Sequence, residues 1–225
     1  MRGLFVTGTD TGVGKTVLSA ALLAAMVAAG ERVRAHKPIV TGLGEPSGPW
    51  PADHELLASA AGMTPEEVAP RRYGPAVSPH LAAQLAGERV DPEDLVMRAR
   101  AAGGDEATLI VEGVGGLLAP LAEDYTVRDL AVALGLPLLI AARPELGTIN
   151  HTLLTLQSAR AVGLDVRAVV LTPWPEEPSE IQLSNRETIA RMGDIEVAVL
   201  SQIRSPAISD LAPAGNALPW RQWCP

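Results

Sequence analysis

The sequence predicts an α/β fold, a single domain in which a parallel sheet carries helices on both faces. Short apolar runs of strand length alternate with longer helical stretches from one end of the chain to the other. The strand runs are continuously apolar instead of alternating, as expected when both faces of a sheet are covered. The 225 residues contain no linker, repeat or low-complexity run, so the domain is read as residues 1–225, with Pro213–Pro225 as an irregular tail.

In order, Leu4–Thr7 is a compact apolar strand that runs into the glycine-rich segment beginning at Gly8. Lys15–Ala29 follows as a helix; its 13-residue apolar core, Val17–Ala29, falls short of the ~20 residues that span a bilayer and reads as buried. Val33–His36 is the second strand, and Gly42–Pro51 a loop. Asp53–Ala61 is a helix, with Asp53 read from spacing alone as its cap. Pro70–Ser78 is a second loop. Asp91, Pro92 and Asp94 mark the start of a helix over Pro92–Ala101. Strand Thr108–Val111, helix Thr126–Leu134, strand Leu136–Ala142, helix Thr148–Val162 and strand Val166–Leu171 continue the alternation. Ser179 or Ser184 caps a helix over Pro178–Arg191, and Glu196–Leu200 is the last strand. Gly30, Gly62, Gly103, Gly135, Gly163 and Gly193 are the stop signals.

Eighteen basic against 26 acidic residues give a net charge of −8, which argues against a protein that binds nucleic acid or anionic lipid through a basic face. The one cysteine, Cys224, permits neither an internal disulfide nor a multi-cysteine metal site and fits a reducing cytoplasm. Leu4-Phe5-Val6 is too short for a signal-peptide core, so no targeting segment is expected.

Gly8-Thr9-Asp10-Thr11-Gly12-Val13-Gly14-Lys15-Thr16 lies between the first strand and the first helix. Glycine-rich backbone at a helix N-terminus turns successive N–H groups into a concavity that suits an anion. Lys15 would reach the terminal phosphates of a nucleotide and the Thr16 hydroxyl would ligate Mg²⁺. Five residues separate Gly8 from Gly14, one more than the usual spacing, so this is a variant phosphate loop and the fold is P-loop NTPase-like.

Lys37 and Pro38 end the second strand, at the edge where ligands bind in such sheets, and a lysine there can stabilise a transferring phosphoryl group. Glu112, at the end of the third strand, matches the acidic residue that holds Mg²⁺ beside a phosphate loop, and the glycines at 113, 115 and 116 allow close backbone approach. His36, His54, His80 and His151 show no metal-ligand spacing, and neither a Gly-x-Ser-x-Gly elbow nor a Gly-x-Gly-x-x-Gly fingerprint is present.

The set Thr7–Thr11 with Val13–Thr16, Lys37-Pro38 with Thr41-Gly42, Ser78-Pro79-His80, Val111–Gly113 with Gly115-Gly116, and Leu146–His151 resembles the dethiobiotin synthetase family, in the family's order over about two thirds of the chain. Ser184-Asn185-Arg186 extends a fainter similarity. The resemblance implies an ATP-dependent cyclo-ligase of biotin synthesis, in which CO₂ adds to an amine of 7,8-diaminononanoate. The carbamate attacks the γ-phosphate of ATP, and the neighbouring amine closes the ureido ring with release of phosphate. It implies catalytic roles for Lys37, Lys15 and Thr11, and nucleotide contacts from Gly12, Val13, Gly14, Lys15, Thr16, Val17, Asp53, Glu112, Gly113, Val114, Gly115 and Thr172. It also implies Mg²⁺ between Thr16, Asp53 and Glu112, substrate contacts from Thr41, Ser78, Gly147, Thr148 and Asn150, and a homodimer in which the segment from Gly147 binds substrate carboxylate across the interface.

Gly12 stands where some members of that family carry an acidic residue. Thr172-Pro173-Trp174-Pro175 stands where many place an Asn that reads the adenine edge, which predicts relaxed base preference. Two alternatives share the fold class. A partition-type ATPase switch needs a second lysine in the loop, where Thr9, Asp10 and Thr11 stand; the synthetase domain of a glutamine-dependent amide-forming enzyme needs a glutaminase, for which the chain offers no cysteine nucleophile.

Overall fold

The computed structural model of the chain describes residues 1–45, 48–104 and 106–224. Its elements run β1 (Gly3–Gly8), α1 (Lys15–Ala28), β2 (Val33–His36), α2 (Asp53–Ala61), α3 (Pro65–Val68), α4 (Pro79–Leu85), α5 (Pro92–Gly103), β3 (Thr108–Glu112), β4 (Pro120–Ala122), β5 (Tyr125–Thr126), α6 (Val127–Leu134), β6 (Leu138–Ala142), α7 (Thr148–Arg160), β7 (Val166–Trp174), α8 (Glu180–Gly193), β8 (Glu196–Ser201), α9 (Ile208–Asn216) and α10 (Trp220–Trp223).

Six strands pair in the order β2-β3-β1-β6-β7-β8, all parallel. Successive strand residues point to opposite faces, so Leu4, Val6, Ile110, Leu139 and Val170 enter one core while Phe5, Leu109, Val111, Ile140 and Leu171 enter the other. Helices α1, α2, α9 and α10 cover the first face; α4 to α8 cover the second. The apolar sequence of α1 is thereby accounted for: Leu18, Leu22, Leu23 and Met26 are fully buried between the sheet, α2 and α9. Each such side chain contributes roughly 1.5–3 kcal/mol.

Register positions the site. Val6 pairs with Glu112 and His36 with Val111, so the C-terminal ends of β1, β2 and β3 converge and place Lys37 and Glu112 beside the loop that leaves β1. The order reverses at β1, which lies between β3 and β6, the switch point where open α/β sheets form a ligand crevice.

Several expectations are corrected. The stretch Pro213–Pro225 is not irregular: α9 runs through Pro213 to Asn216 and α10 follows, while Pro225 lies outside the described residues. A Cβ at Gly215 would overlap the Ala21 carbonyl, so α9 rests on the backbone of α1, and that packing overrides the local preference of Pro213. Asp53 is not the cap of α2; Ala52 holds that position and Glu55 Oε2 accepts its N–H at 3.0 Å. Ser179, and not Ser184, caps α8, while the left-handed residues that end α5 and α8 are Gly104 and Asp194 instead of Gly103 and Gly193. The fourth strand begins at Leu138, past Pro137, and β7 extends to Trp174. Helices α3 and α4 and the β4–β5 hairpin carried too few residues to register as periods. Pro70–Ser78 forms a loop, as does the described part of Gly42–Pro51; residues 46 and 47 lie outside the described residues.

Candidate active site

The loop between β1 and α1 turns sharply. Gly12 and Gly14 have φ of 70° and 88°, and a Cβ at Gly14 would come within 2.8 Å of the Thr172 methyl on β7, so that position requires glycine twice over. Among the described residues, the N–H groups of Gly12, Val13 and Gly14 have no partner within the protein. The Thr11 N–H is held by Asp10 Oδ1 at 2.6 Å. Lys15 folds back so that Nζ donates to the Asp10 carbonyl at 2.8 Å. Burial, reinforced by the nearby Lys37 charge, lowers the Lys15 ammonium to about 8.

Lys37 is the centre of the charged cluster. Its Nζ lies 2.7 Å from Asp53 Oδ2 and 2.5 Å from Glu112 Oε1, and the Thr16 hydroxyl donates to the same Glu112 oxygen at 2.8 Å. Burial alone would depress the Lys37 ammonium, but the Glu112 and Asp53 carboxylates outweigh it and hold the group above its ordinary value. Burial would likewise raise Asp53, yet Lys37 draws it down to about 2. Glu112 is wholly buried, and its Oε2 has no protein partner. Two carboxylates and a hydroxyl make an oxygen-only donor set of the kind a hard divalent cation takes. No group of three His, Cys, Asp or Glu able to hold a metal occurs among the described residues, so any such site needs Thr16 and ligands from outside the protein.

A cleft of about 1090 Å³ opens over this cluster. Its lining includes, of the residues singled out from sequence, Thr11, Gly12, Gly14, Lys15, Thr16, Val17, Lys37, Thr41, Asp53, Ser78, Val114 and Gly115. Others do not line it. Val13 and Thr172 are buried in packing, and a Cβ at Gly113 would strike Val127 and Phe5, so that glycine serves close packing in place of phosphate approach. Gly147 and Asn150 are exposed at the start of α7, and Thr148 is buried with its hydroxyl 3.4 Å from that of Thr152. The inner face of α7 instead presents His151, Leu154, Thr155 and Ser158 to the cleft.

Sequence reasoning missed Trp50, Leu117, Leu118, Leu154, Thr155, Ser158 and Arg143. Trp50, Leu118 and Leu154 add apolar surface to the cleft wall. The exposure of Leu118 and Leu154, 55% and 56%, is a signal only once the fold is known. Arg143 ends the fourth apolar run on the same edge as Lys37 and Glu112, a position that could have drawn notice.

The comparisons agree with this geometry. A family model described as an AAA domain matches residues 2–210. A solved structure of the MinC:MinD cell division protein complex from Aquifex aeolicus superposes with a TM-score of 0.55, covering 95% of this chain and 86% of that one; at 14% identity it shows the fold alone. The chain is 43% identical to a protein of Anaeromyxobacter sp. (strain Fw109-5), with 87% of this chain and 91% of that one covered. It is 39% identical to one of Mycobacterium sp. (strain KMS), covering 91% and 90%, and 36% identical to one of Bacillus subtilis (strain 168), covering 88% and 85%. Each of the three is named ATP-dependent dethiobiotin synthetase BioD. With a phosphate loop, a carboxylate-clamped lysine beside it and relatives matched over nearly their whole length, the chain belongs to the dethiobiotin synthetase family.

Proposed function

We propose that the protein is an ATP-dependent dethiobiotin synthetase, a C–N bond-forming cyclo-ligase that converts 7,8-diaminononanoate and CO₂ to dethiobiotin. The observation that carries this reading is Lys37, buried and clamped by Asp53 and Glu112 beside the phosphate loop, in a cleft lined by both charged and apolar side chains. The charged side chains suit the two amines and the phosphate; the apolar surface of Trp50, Leu118 and Leu154 suits the alkyl chain.

Free N–H groups of Gly12, Val13 and Gly14 and the α1 N-terminus cradle the nucleotide phosphates. Lys15 leaves the Asp10 carbonyl for the phosphates, whose charge restores its proton above pH 8. Thr16, Asp53 and Glu112 would hold Mg²⁺, for which the unpartnered Glu112 Oε2 and the hard donor set are suited. When bound, the ion neutralises charge on the phosphate oxygens. Lys37 remains protonated throughout the working pH range and donates to the carbamate oxygen and the transferring phosphoryl group, where negative charge develops. Thr11 and Thr41, on the cleft wall, hydrogen-bond near the carbamate, and Ser78 borders the diamine.

The reading includes a homodimeric cytoplasmic enzyme. Exposed Gly147, Asn150 and Leu146 at the α7 N-terminus leave that helix end available to a second subunit, where it would receive the substrate carboxylate. No helix among the described residues is long and apolar enough to cross a membrane. Pro173 offers no N–H and the Thr172 methyl faces Gly14, which supports use of more than one base. The test is incubation with 7,8-diaminononanoate, bicarbonate, Mg²⁺ and ATP, CTP or GTP in parallel, with detection of dethiobiotin by mass. Product with at least ATP is expected; nucleotide hydrolysis that is independent of the diamine, with no product, contradicts the reading.

A further inference from the structure

Arg143 follows β6, whose Ala141 carbonyl accepts the Thr9 N–H at 3.0 Å, so the residue stands beside the phosphate loop without lining the cleft. Its Nε and Nη2 donate to the Gly12 carbonyl at 3.3 and 3.2 Å, and Nη2 reaches the Thr11 carbonyl at 3.5 Å. Among the described residues it forms no ion pair, so its charge is uncommitted to a carboxylate. A Cβ at Gly12 would stand 3.0 Å from Nη2: the guanidinium occupies the space that a side chain at position 12 would take. In a planar trans peptide the C=O and N–H point in opposite directions. Drawing the Thr11 and Gly12 carbonyls toward Arg143 therefore turns the Gly12 and Val13 N–H groups the other way. Those are two of the loop donors with no partner in the protein.

We propose that Arg143 is a positioning residue for nucleotide binding, holding the two loop carbonyls on the outer side so that the Gly12 and Val13 N–H groups are set for the phosphates before the nucleotide arrives. The proposal rests on the synthetase reading only in requiring that the loop bind a nucleoside triphosphate. Arg143→Ala loses the hold; Arg143→Lys keeps the charge and a single donor nitrogen but not the planar fork that spans two carbonyls.

The experiment measures affinity for ATP and its non-hydrolysable imido analogue by calorimetry, with KM, kcat and thermal stability for wild type and both variants. Arg143→Ala is expected to weaken binding and raise KM for ATP about tenfold, with kcat at saturating ATP reduced less than threefold and the diamine KM within threefold. Arg143→Lys is expected between the two. Arg143 is exposed, so thermal stability should move little. Affinity in Arg143→Ala within twofold of wild type overturns the proposal, as does an equal loss in both variants accompanied by a fall in thermal stability. Wild-type protein that binds neither ligand overturns this inference and the synthetase reading together.

Discussion

Lys37 shows how much one side chain carries. Among the described residues it is the only cation touching both Asp53 and Glu112, and Glu112 lies wholly inside the protein. Lys37→Gln should lower turnover by roughly 10²–10³-fold while nucleotide affinity changes only a few-fold, because the loop donors are untouched. The same change strips Glu112 of its counter-charge and should cost about 3 kcal/mol of stability in urea unfolding. Wild-type-like turnover would contradict the role given to Lys37. His36, its neighbour, makes a separate prediction. Burial, with Arg98 nearby, lowers its imidazole to about 4, and neither ring nitrogen has a protein partner. The folded state therefore stays neutral while the unfolded chain takes up a proton near pH 6.5, so stability is lost as pH falls from 6.5 toward 4. Between pH 7 and 5 the loss is about 2 kcal/mol, and His36→Met should remove that slope in paired urea titrations. Lys15, Lys37, Thr16 and Glu112 were legible because their types and spacing follow from phosphate chemistry. Spacing alone reads Asp53 as a cap, because an acidic residue at a helix start ordinarily is one and its partner Lys37 lies 16 residues back in the chain; the resemblance alone groups it with Thr16 and Glu112. Arg143 was hidden because it bonds backbone carbonyls, which every sequence has.

At the scale of elements, the strands were the most readable part, because continuous burial on both faces writes itself as uninterrupted apolar runs. Their ends moved by a few residues where Pro137 and Pro173 interrupt the pattern. The C-terminal segment was misjudged for a physical reason. Pro213 and Gly215 both disfavour a helix locally, yet α9 buries Leu211 fully and brings its backbone against α1 at Gly215. Gly215→Val should therefore destabilise the protein by roughly 2–4 kcal/mol in denaturant unfolding, more than the same change at exposed Gly74, whose φ is not left-handed and where nothing lies within reach of a Cβ. Equal, small effects at both positions would contradict the packing of α9 on α1. Saturating ATP should stabilise wild type and variant alike, so the difference between them stays the same where ATP affinity is unchanged and grows where disturbing α1, which begins at the phosphate loop, weakens ATP binding.

For the molecule as a whole, a net charge of −8 surrounds a cleft that, on the proposed function, takes a triphosphate and a carbamate. Lys15, Lys37, Arg143 and unpartnered N–H groups gather at one edge of the sheet, where Asp53 and Glu112 balance the charge of Lys37. The charged residues of that cleft are legible in the sequence read in order; its apolar residues Trp50, Leu118 and Leu154 are joined by no local pattern. In the proposed function an oxygen of the carbamate attacks phosphorus and later leaves with it. In that sequence the bond between the carboxyl carbon and that oxygen breaks when the second amine closes the ring. The most direct test supplies C¹⁸O₂ in unlabelled water, over times short against its exchange with water, with 7,8-diaminononanoate, Mg²⁺ and ATP. The predicted result is one ¹⁸O in the inorganic phosphate for each dethiobiotin formed, and phosphate whose new oxygen comes from water would contradict it.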